Sequence, residues 1–292
     1  MPSQDTPSRI VLTVNAFRFR ALSLGSGDLV LLLHGFPQFA DIWSDVMPAI
    51  AAAGFRAVAV DQRGYSPEAR PSEVNAYTIK ELCLDVLGFA DASGAATFHL
   101  VGHDWGGLLA WQLAAEHPDR VRSLTVLSTP HTDALFDAIQ HDKEQKQRSR
   151  YIDFFRMPGG AAESYIAADN WEFLRQVYQG KVREERVEEN IRRFQEPGAL
   201  TAALNWYRAL DRHTRIGGVS VPTLYVWGSE DLAISAKAAE STASYVSGIF
   251  HFERIDGKSH WLLEEAPEWI ATRVVKHLED AQHSAHEPAE SA

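Results

Sequence analysis

The chain has 292 residues, 45% of them apolar, and a formal net charge of −11 from 28 basic and 39 acidic side chains. That length suits one α/β domain with room for an insertion, and the negative balance excludes the basic footprint that nucleic-acid binding requires. No apolar run approaches the ~18 residues of a membrane helix, and Met1-Pro-Ser-Gln-Asp-Thr-Pro7 lacks the basic-then-apolar order of a secretory signal, so a cytoplasmic protein with no membrane partner is expected.

In chain order, Leu29 to His34 is a buried-strand pattern running into the loop His34-Gly35-Phe36-Pro37-Gln38. Phe55 to Asp61 is a second apolar run, followed by Gln62-Arg63-Gly64-Tyr65-Ser66-Pro67. Ile79 to Leu87 has helical spacing and contains the single cysteine, Cys83, which reads as a packing residue; no intramolecular disulfide is possible. Phe98 to Gly102 is strand-like and Leu108 to Glu116 helix-like. Between them, Gly102-His103-Asp104-Trp105-Gly106-Gly107 has the layout of a nucleophile elbow, G-x-S-x-G, with Asp104 in the serine slot. The exchange redirects the chemistry. A serine there forms acyl-enzymes, whereas a carboxylate attacks carbon in a displacement and leaves an alkyl ester on the protein. A capping aspartate in a glycine turn is the plainer reading of the same residue.

The remainder of the chain favours the chemical reading. Leu124 to Ser128, Thr223 to Gly228 and His251 to Asp256 complete a set of short apolar runs alternating with helical patterns, which predicts a mostly parallel sheet covered on both faces. Two polar loops follow late strands, Gly228-Ser229-Glu230-Asp231 and Gly257-Lys258-Ser259-His260-Trp261. The order Asp104, Asp231, His260 is nucleophile, acid, histidine, each at the strand edge where open α/β sheets bind ligands. Glu230 and Asp133 are rival acids. Ala161 to Gln179, Arg183 to Gln195 and Ala199 to Leu210 read as helices, punctuated by Pro158-Gly159-Gly160 and Pro197-Gly198. The expected organisation is a core formed by 1–130 and 217–280, a helical lid at 131–216 and a disordered polar tail at 281–292. No His/Cys cluster has metal-ligand spacing, so no metal and no cofactor are expected.

On His34-Gly-Phe-Pro37, Asp61-Gln-Arg-Gly-Tyr-Ser66, the elbow, Leu204-Asn-Trp-Tyr-Arg208 and Gly257-Lys-Ser-His-Trp261, the chain resembles an α/β-hydrolase-fold epoxide hydrolase of the soluble type from about residue 17 to residue 278. The resemblance implies two lid tyrosines that donate to the epoxide oxygen, matched by motif to Tyr207 and Tyr151, with Tyr165 and Tyr178 as nearby competitors. It implies attack by Asp104 on a small-molecule epoxide, then ester hydrolysis by water activated by His260 and oriented through Asp231, giving a vicinal diol. Backbone N–H groups of Phe36 and Trp105 are the expected oxyanion hole, and Phe154, Phe155, Trp105 and Trp206 the expected apolar pocket. His34 and His103 are expected to bond backbone, and the Phe36–Pro37 bond to be cis or comparably strained.

The elbow is shared with haloalkane and haloacid dehalogenases, and the chain departs from both. Trp105 and Leu108 stand where the haloacid type has arginines, and Phe36 where the haloalkane type places asparagine; Gln38 replaces an acidic residue common in epoxide hydrolases. Dehalogenation, ester or carbon–carbon bond hydrolysis, and non-catalytic binding of a hydrophobic ligand are the alternatives. Nothing in the sequence sets an oligomeric state.

Overall fold

A computed structural model describes residues 6–286, with side chains as far as His283. Its strands are β1 Ser8–Val14, β2 Phe17–Gly25, β3 Leu29–Leu33, β4 Arg56–Val60, β5 Phe98–His103, β6 Val121–Leu127, β7 Thr223–Gly228 and β8 Phe250–Ile255. They form one sheet in the order β1-β2-β4-β3-β5-β6-β7-β8. β1 pairs antiparallel with β2 and β2 with β4, while every pairing from β4 to β8 is parallel. The expected parallel sheet is therefore present, extended by an antiparallel pair that the apolar runs had not marked.

The central strands are apolar throughout because both faces are covered. In β3, Leu29, Leu31 and Leu33 join one cluster with Cys83, Phe89 and Trp111. Val30 and Leu32 join the other, with Met47, Ile50, Ile270 and Val274. This is the two-residue alternation of a strand, with helices on each side. Cys83 is buried and unpaired, as expected.

Between β6 and β7 the chain is helical: Thr132–His141, Lys143–Arg148, Arg150–Phe155, Ala161–Val177, Glu184–Phe194 and Ala199–Ala209. At the other end the expected break at 281 is not found. The helix Pro267–His286 continues through it, because buried Leu278 and Ala281 extend the apolar face of Ile270 and Val274. Residues 287–292, the rest of the expected tail, lie outside the described residues.

Parallel strands direct their carboxyl ends to one edge. The loops after β3, β5, β7 and β8 carry residues 34–38, 104, 229–235 and 256–261, and so share that edge under the helical insertion.

Candidate active site

Asp104 lies between β5 and the helix Trp105–Glu116, with φ 53° and ψ −119°. A side-chain-bearing residue is rarely left in this region unless its surroundings enforce it. The enforcement is visible: the Asp104 carbonyl accepts from Leu108 N–H at 3.1 Å and Thr129 Oγ1 at 2.9 Å. The turn lifts the carboxylate off the sheet edge. Asp104 Oδ1 accepts a 2.7 Å bond from the Phe36 N–H, and the Trp105 N–H faces the same carboxyl group. Asp104 Oδ2 stands 3.5 Å from His260 Nε2.

His260 Nδ1 is 2.8 Å from Asp231 Oδ2. Asp231, 1% exposed, is fixed in turn by the N–H groups of Ala233 and Ile234, which donate to its Oδ1 at 2.8 and 3.0 Å. The rival acids point elsewhere. The Asp133 carboxylate accepts from Ile216 N–H and Gly217 N–H, and Glu230 is exposed. Asp104, His260 and Asp231 thus form one continuous line.

Charge follows from that line. Burial alone would push the Asp104 carboxyl pKa up, but the hydrogen bond and charge of His260, with the Trp105 N–H, bring it below the usual value. Burial lowers the His260 pKa; the carboxylates of Asp231 and Asp104 outweigh it and push it up to about 10. The resting arrangement is an imidazolium held between two carboxylates.

Above it lies a cavity of about 310 Å³ lined by Phe36, Asp104, Tyr151, Phe155, Tyr207 and His260, among others. Tyr151 and Tyr207 come from different insertion helices, and their rings are 6.2 Å apart. Burial, then the Asp104 charge, pushes both phenol pKa values up, so both stay protonated donors. Tyr207 also stacks edge-on against Trp105 and Phe36, at 4.9 and 5.7 Å.

Three expected pocket residues are placed differently. Phe154 turns to Tyr165, 5.2 Å away, while its neighbour Phe155 lines the cavity. Trp206 is 1% exposed and donates from Nε1 to the Arg63 carbonyl at 2.8 Å, while its neighbour Tyr207 faces the cavity. Neighbours on a helix point about 100° apart, so only one of each pair can face inward. The Trp105 ring packs between Trp206 and Tyr207. Conversely, Arg148, Phe173, Val177 and Trp261 line the cavity, with exposed Gln176 and Gln179, and were not anticipated. Only Trp261 carried a signal, as the aromatic next to His260.

His34 and His103 bond backbone as expected. His34 Nε2 accepts from Gln62 N–H at 3.2 Å with Nδ1 toward the Gly35 carbonyl, and His103 Nε2 meets the His260 carbonyl at 2.9 Å. Burial pushes both down to about 4, so they are neutral. The Phe36–Pro37 peptide bond is cis.

A family profile for the α/β hydrolase fold matches residues 28–267. The chain is 32% identical to the AB hydrolase superfamily protein YfhM of Bacillus subtilis, over 87% of this chain and 91% of that one. It is 30% identical to epoxide hydrolase A of Mycobacterium tuberculosis, over 93% and 97%. The crystal structure of the Bacillus megaterium epoxide hydrolase in complex with an inhibitor superposes with a TM-score of 0.85 at 26% identity, over 92% of this chain and all of that one. The chain belongs to the α/β-hydrolase fold family, in its epoxide-hydrolase branch. Among the described residues no helix is long and apolar enough to cross a membrane.

Proposed function

We propose that the protein hydrolyses epoxides to vicinal diols through a covalent ester on Asp104. The observation that carries this reading is the shared cavity. A carboxylate with one oxygen held by a backbone N–H and the other turned to His260 and the cavity faces two protonated phenols that can donate.

Asp104 Oδ2, the oxygen toward His260 and the cavity, attacks an epoxide carbon while Tyr151 and Tyr207 hydrogen-bond the ring oxygen and protonate it as the C–O bond breaks. The carboxyl group becomes a hydroxyalkyl ester, and its carbonyl oxygen is Oδ1. His260, now facing an ester rather than a carboxylate, gives up its imidazolium proton as the tyrosinate is reprotonated, and the neutral ring then takes a proton from water, which attacks the ester carbonyl carbon. The oxyanion that develops on Oδ1 is stabilised by the Phe36 N–H, which already donates to that oxygen, with the Trp105 N–H beside the carboxyl group as the second donor. Collapse releases the diol and restores Asp104. The helical insertion acts as a lid that excludes bulk water and brings the two phenols. The apolar walls, Phe36, Phe155 and Phe173, favour epoxides with hydrocarbon or aromatic substituents.

Dehalogenation by the same aspartate is the second reading. Its leaving halide or substrate carboxylate would need donors, and Arg148, the one arginine lining the cavity among the described residues, is engaged: it bonds Glu144 and the carbonyls of Asp231 and Ile234.

With protein in excess over a styrene-oxide-like epoxide in heavy-oxygen water, the first-turnover diol is expected to carry no label and a peptide containing Asp104 to carry it. Labelled diol would show water attacking the ring directly and overturn the covalent route. Halide release from a haloalkane without any diol from the epoxide would overturn the substrate assignment.

A further inference from the structure

The oxyanion donor at Phe36 is held from a place that the chemistry above does not use. An N–H direction is set by its peptide plane, and residues 35–38 form a tight turn closed by Gln38 N–H to the Gly35 carbonyl at 3.0 Å. A second restraint on the turn comes from the helical insertion: the Tyr178 hydroxyl donates to the Pro37 carbonyl at 2.7 Å. Tyr178 is fully buried, and its oxygen accepts from Asn190 Nδ2 at 2.9 Å, with Asn190 itself 2% exposed. The neighbouring residue grips the other catalytic loop, since the Val177 carbonyl accepts from Trp261 Nε1 at 3.2 Å beside His260. The Tyr178 ring packs on that same indole at 5.1 Å. Residues 177 and 178 therefore bridge the loop that carries the oxyanion donor and the loop that carries the histidine.

We infer that Tyr178 is a positioning residue: its hydroxyl, oriented by Asn190, fixes the Pro37 carbonyl and so aims the Phe36 N–H at Asp104, completing the oxyanion hole only when the insertion is docked. The inference rests on the ester mechanism proposed above. Buried polar pairs are costly to leave half-made, and a phenol placed on a carbonyl with an amide behind it fixes one geometry. Tyr178 touches neither Asp104 nor the ring oxygen, so its effect falls on the step that needs the hole, the hydrolysis of the ester.

Three variants separate this from a packing role. Tyr178→Phe keeps the ring and loses the bond to Pro37. Asn190→Leu keeps that bond. Tyr178→Phe/Asn190→Leu removes both polar partners and leaves no buried amide without an acceptor. In Tyr178→Phe, the Phe36 amide resonance is expected to move and ester hydrolysis in single turnover to slow on the order of 10- to 100-fold, below the ~10²–10³ for losing an oxyanion donor outright. Ester formation should change less. Asn190→Leu should retain most of the hydrolysis rate. The double variant should regain melting temperature relative to Tyr178→Phe without regaining the rate; recovery of both together would overturn the positioning role. Wild-type protein run alongside keeps the two proposals apart. No ester adduct in wild type overturns the chemistry, whereas an adduct in wild type with an unmoved Phe36 amide in Tyr178→Phe overturns the inference.

Discussion

His260 lies between two carboxylates, and the two tasks proposed for it need opposite charge states. In the resting protein the imidazolium stabilises ionised Asp104; in the second half-reaction a neutral imidazole must accept a proton from water. Burial lowers its pKa, Asp231 and Asp104 raise it, and the balance stands at about 10 against an ordinary 6.5. Because the folded value is raised, the stability this group contributes is fully present below about pH 6.5 and is lost as pH rises through about 10. On the proposed route, esterification removes one of the two negative charges while burial persists, so the pKa of His260 should fall at the moment the ring must act as base. The expected result is that ester hydrolysis in single turnover rises with pH about a midpoint below that of His260 titrated by NMR in the free protein. Equal midpoints would show that Asp104 does not set the His260 charge. His260→Gln should leave the ester on Asp104 as a stable adduct detectable by mass. At this scale the sequence was readable. Asp104 directly follows β5, Asp231 and His260 lie in the short loops after β7 and β8, and strand ends are fixed by short-range apolar patterning.

The elements that carry these residues meet at close quarters, and two glycines mark different kinds of contact. A Cβ on Gly106 would lie 2.2 Å from the Leu33 carbonyl oxygen, so the helix Trp105–Glu116 would be pushed off β3. A Cβ on Gly35 would lie 2.1 Å from Asp104 Oδ1 and 2.4 Å from Asp104 Cβ, and because no side-chain rotation moves Cβ, the turn that carries Asp104 would itself have to shift. Gly106→Ala is therefore expected to lose stability, by about 1–3 kcal/mol or more as overpacking does. Gly35→Ala is expected to lose stability as well and, because the displaced atoms belong to Asp104, to lose activity on the order of 100-fold, as a misplacement of about 1 Å can cause. Thermal melts and epoxide turnover on both variants check the pair; a Gly35→Ala protein with normal turnover would show that the position of Asp104 is not critical. The elbow was legible because glycine spacing encodes such approaches locally. The hairpin β1–β2 was not recognised: its Phe17-Arg-Phe-Arg-Ala21 alternation is half-polar, and its turn, Asn15-Ala16 with φ of 50° and 65°, lacks the glycine that usually marks it. In the insertion the helices were legible but their inward faces were not. The helix Ala161–Val177 breaks at Ala168–Trp171, where three residues take positive φ. One 3.6-residue phase cannot run through such a break to predict Phe173 and Val177 in the cavity.

Across the whole molecule, the insertion is fastened to the core by a row of arginines on the helix Glu184–Phe194 and the residue before it. Arg183 and Arg186 reach Asp45, Arg186 also reaches Glu264 at 2.9 Å, and Arg193 pairs with Asp41 at 3.2 Å and with Asp61. The Arg193 guanidinium lies 3.7 Å from the centroid of the Phe39 ring, one residue beyond the turn at 35–38. These contacts join charge to burial: the Arg193 side chain is 12% exposed and that of Asp61 6%. The adjacent Arg192 is 63% exposed and pairs with Glu189 on its own helix. Two neighbouring arginines on one helix thus differ in what their loss leaves behind. Arg193→Leu strands a buried carboxylate, a change that typically costs about 3–5 kcal/mol, although Ala40 N–H still donates to Asp61 Oδ1 at 2.8 Å and limits the damage. Arg192→Leu removes a screened surface pair worth about 0.3–0.5 kcal/mol. Urea unfolding should therefore show a large drop in midpoint for Arg193→Leu and little change for Arg192→Leu. If the insertion is fastened to the core through this pair, Arg193→Leu should also raise KM as docking weakens, and Arg193→Leu/Asp61→Leu should recover stability by removing the stranded charge. Equal midpoints for the two single variants would show that apolar packing beneath the helix, led by Val187, Ile191 and Phe194, holds the insertion without the ion pair.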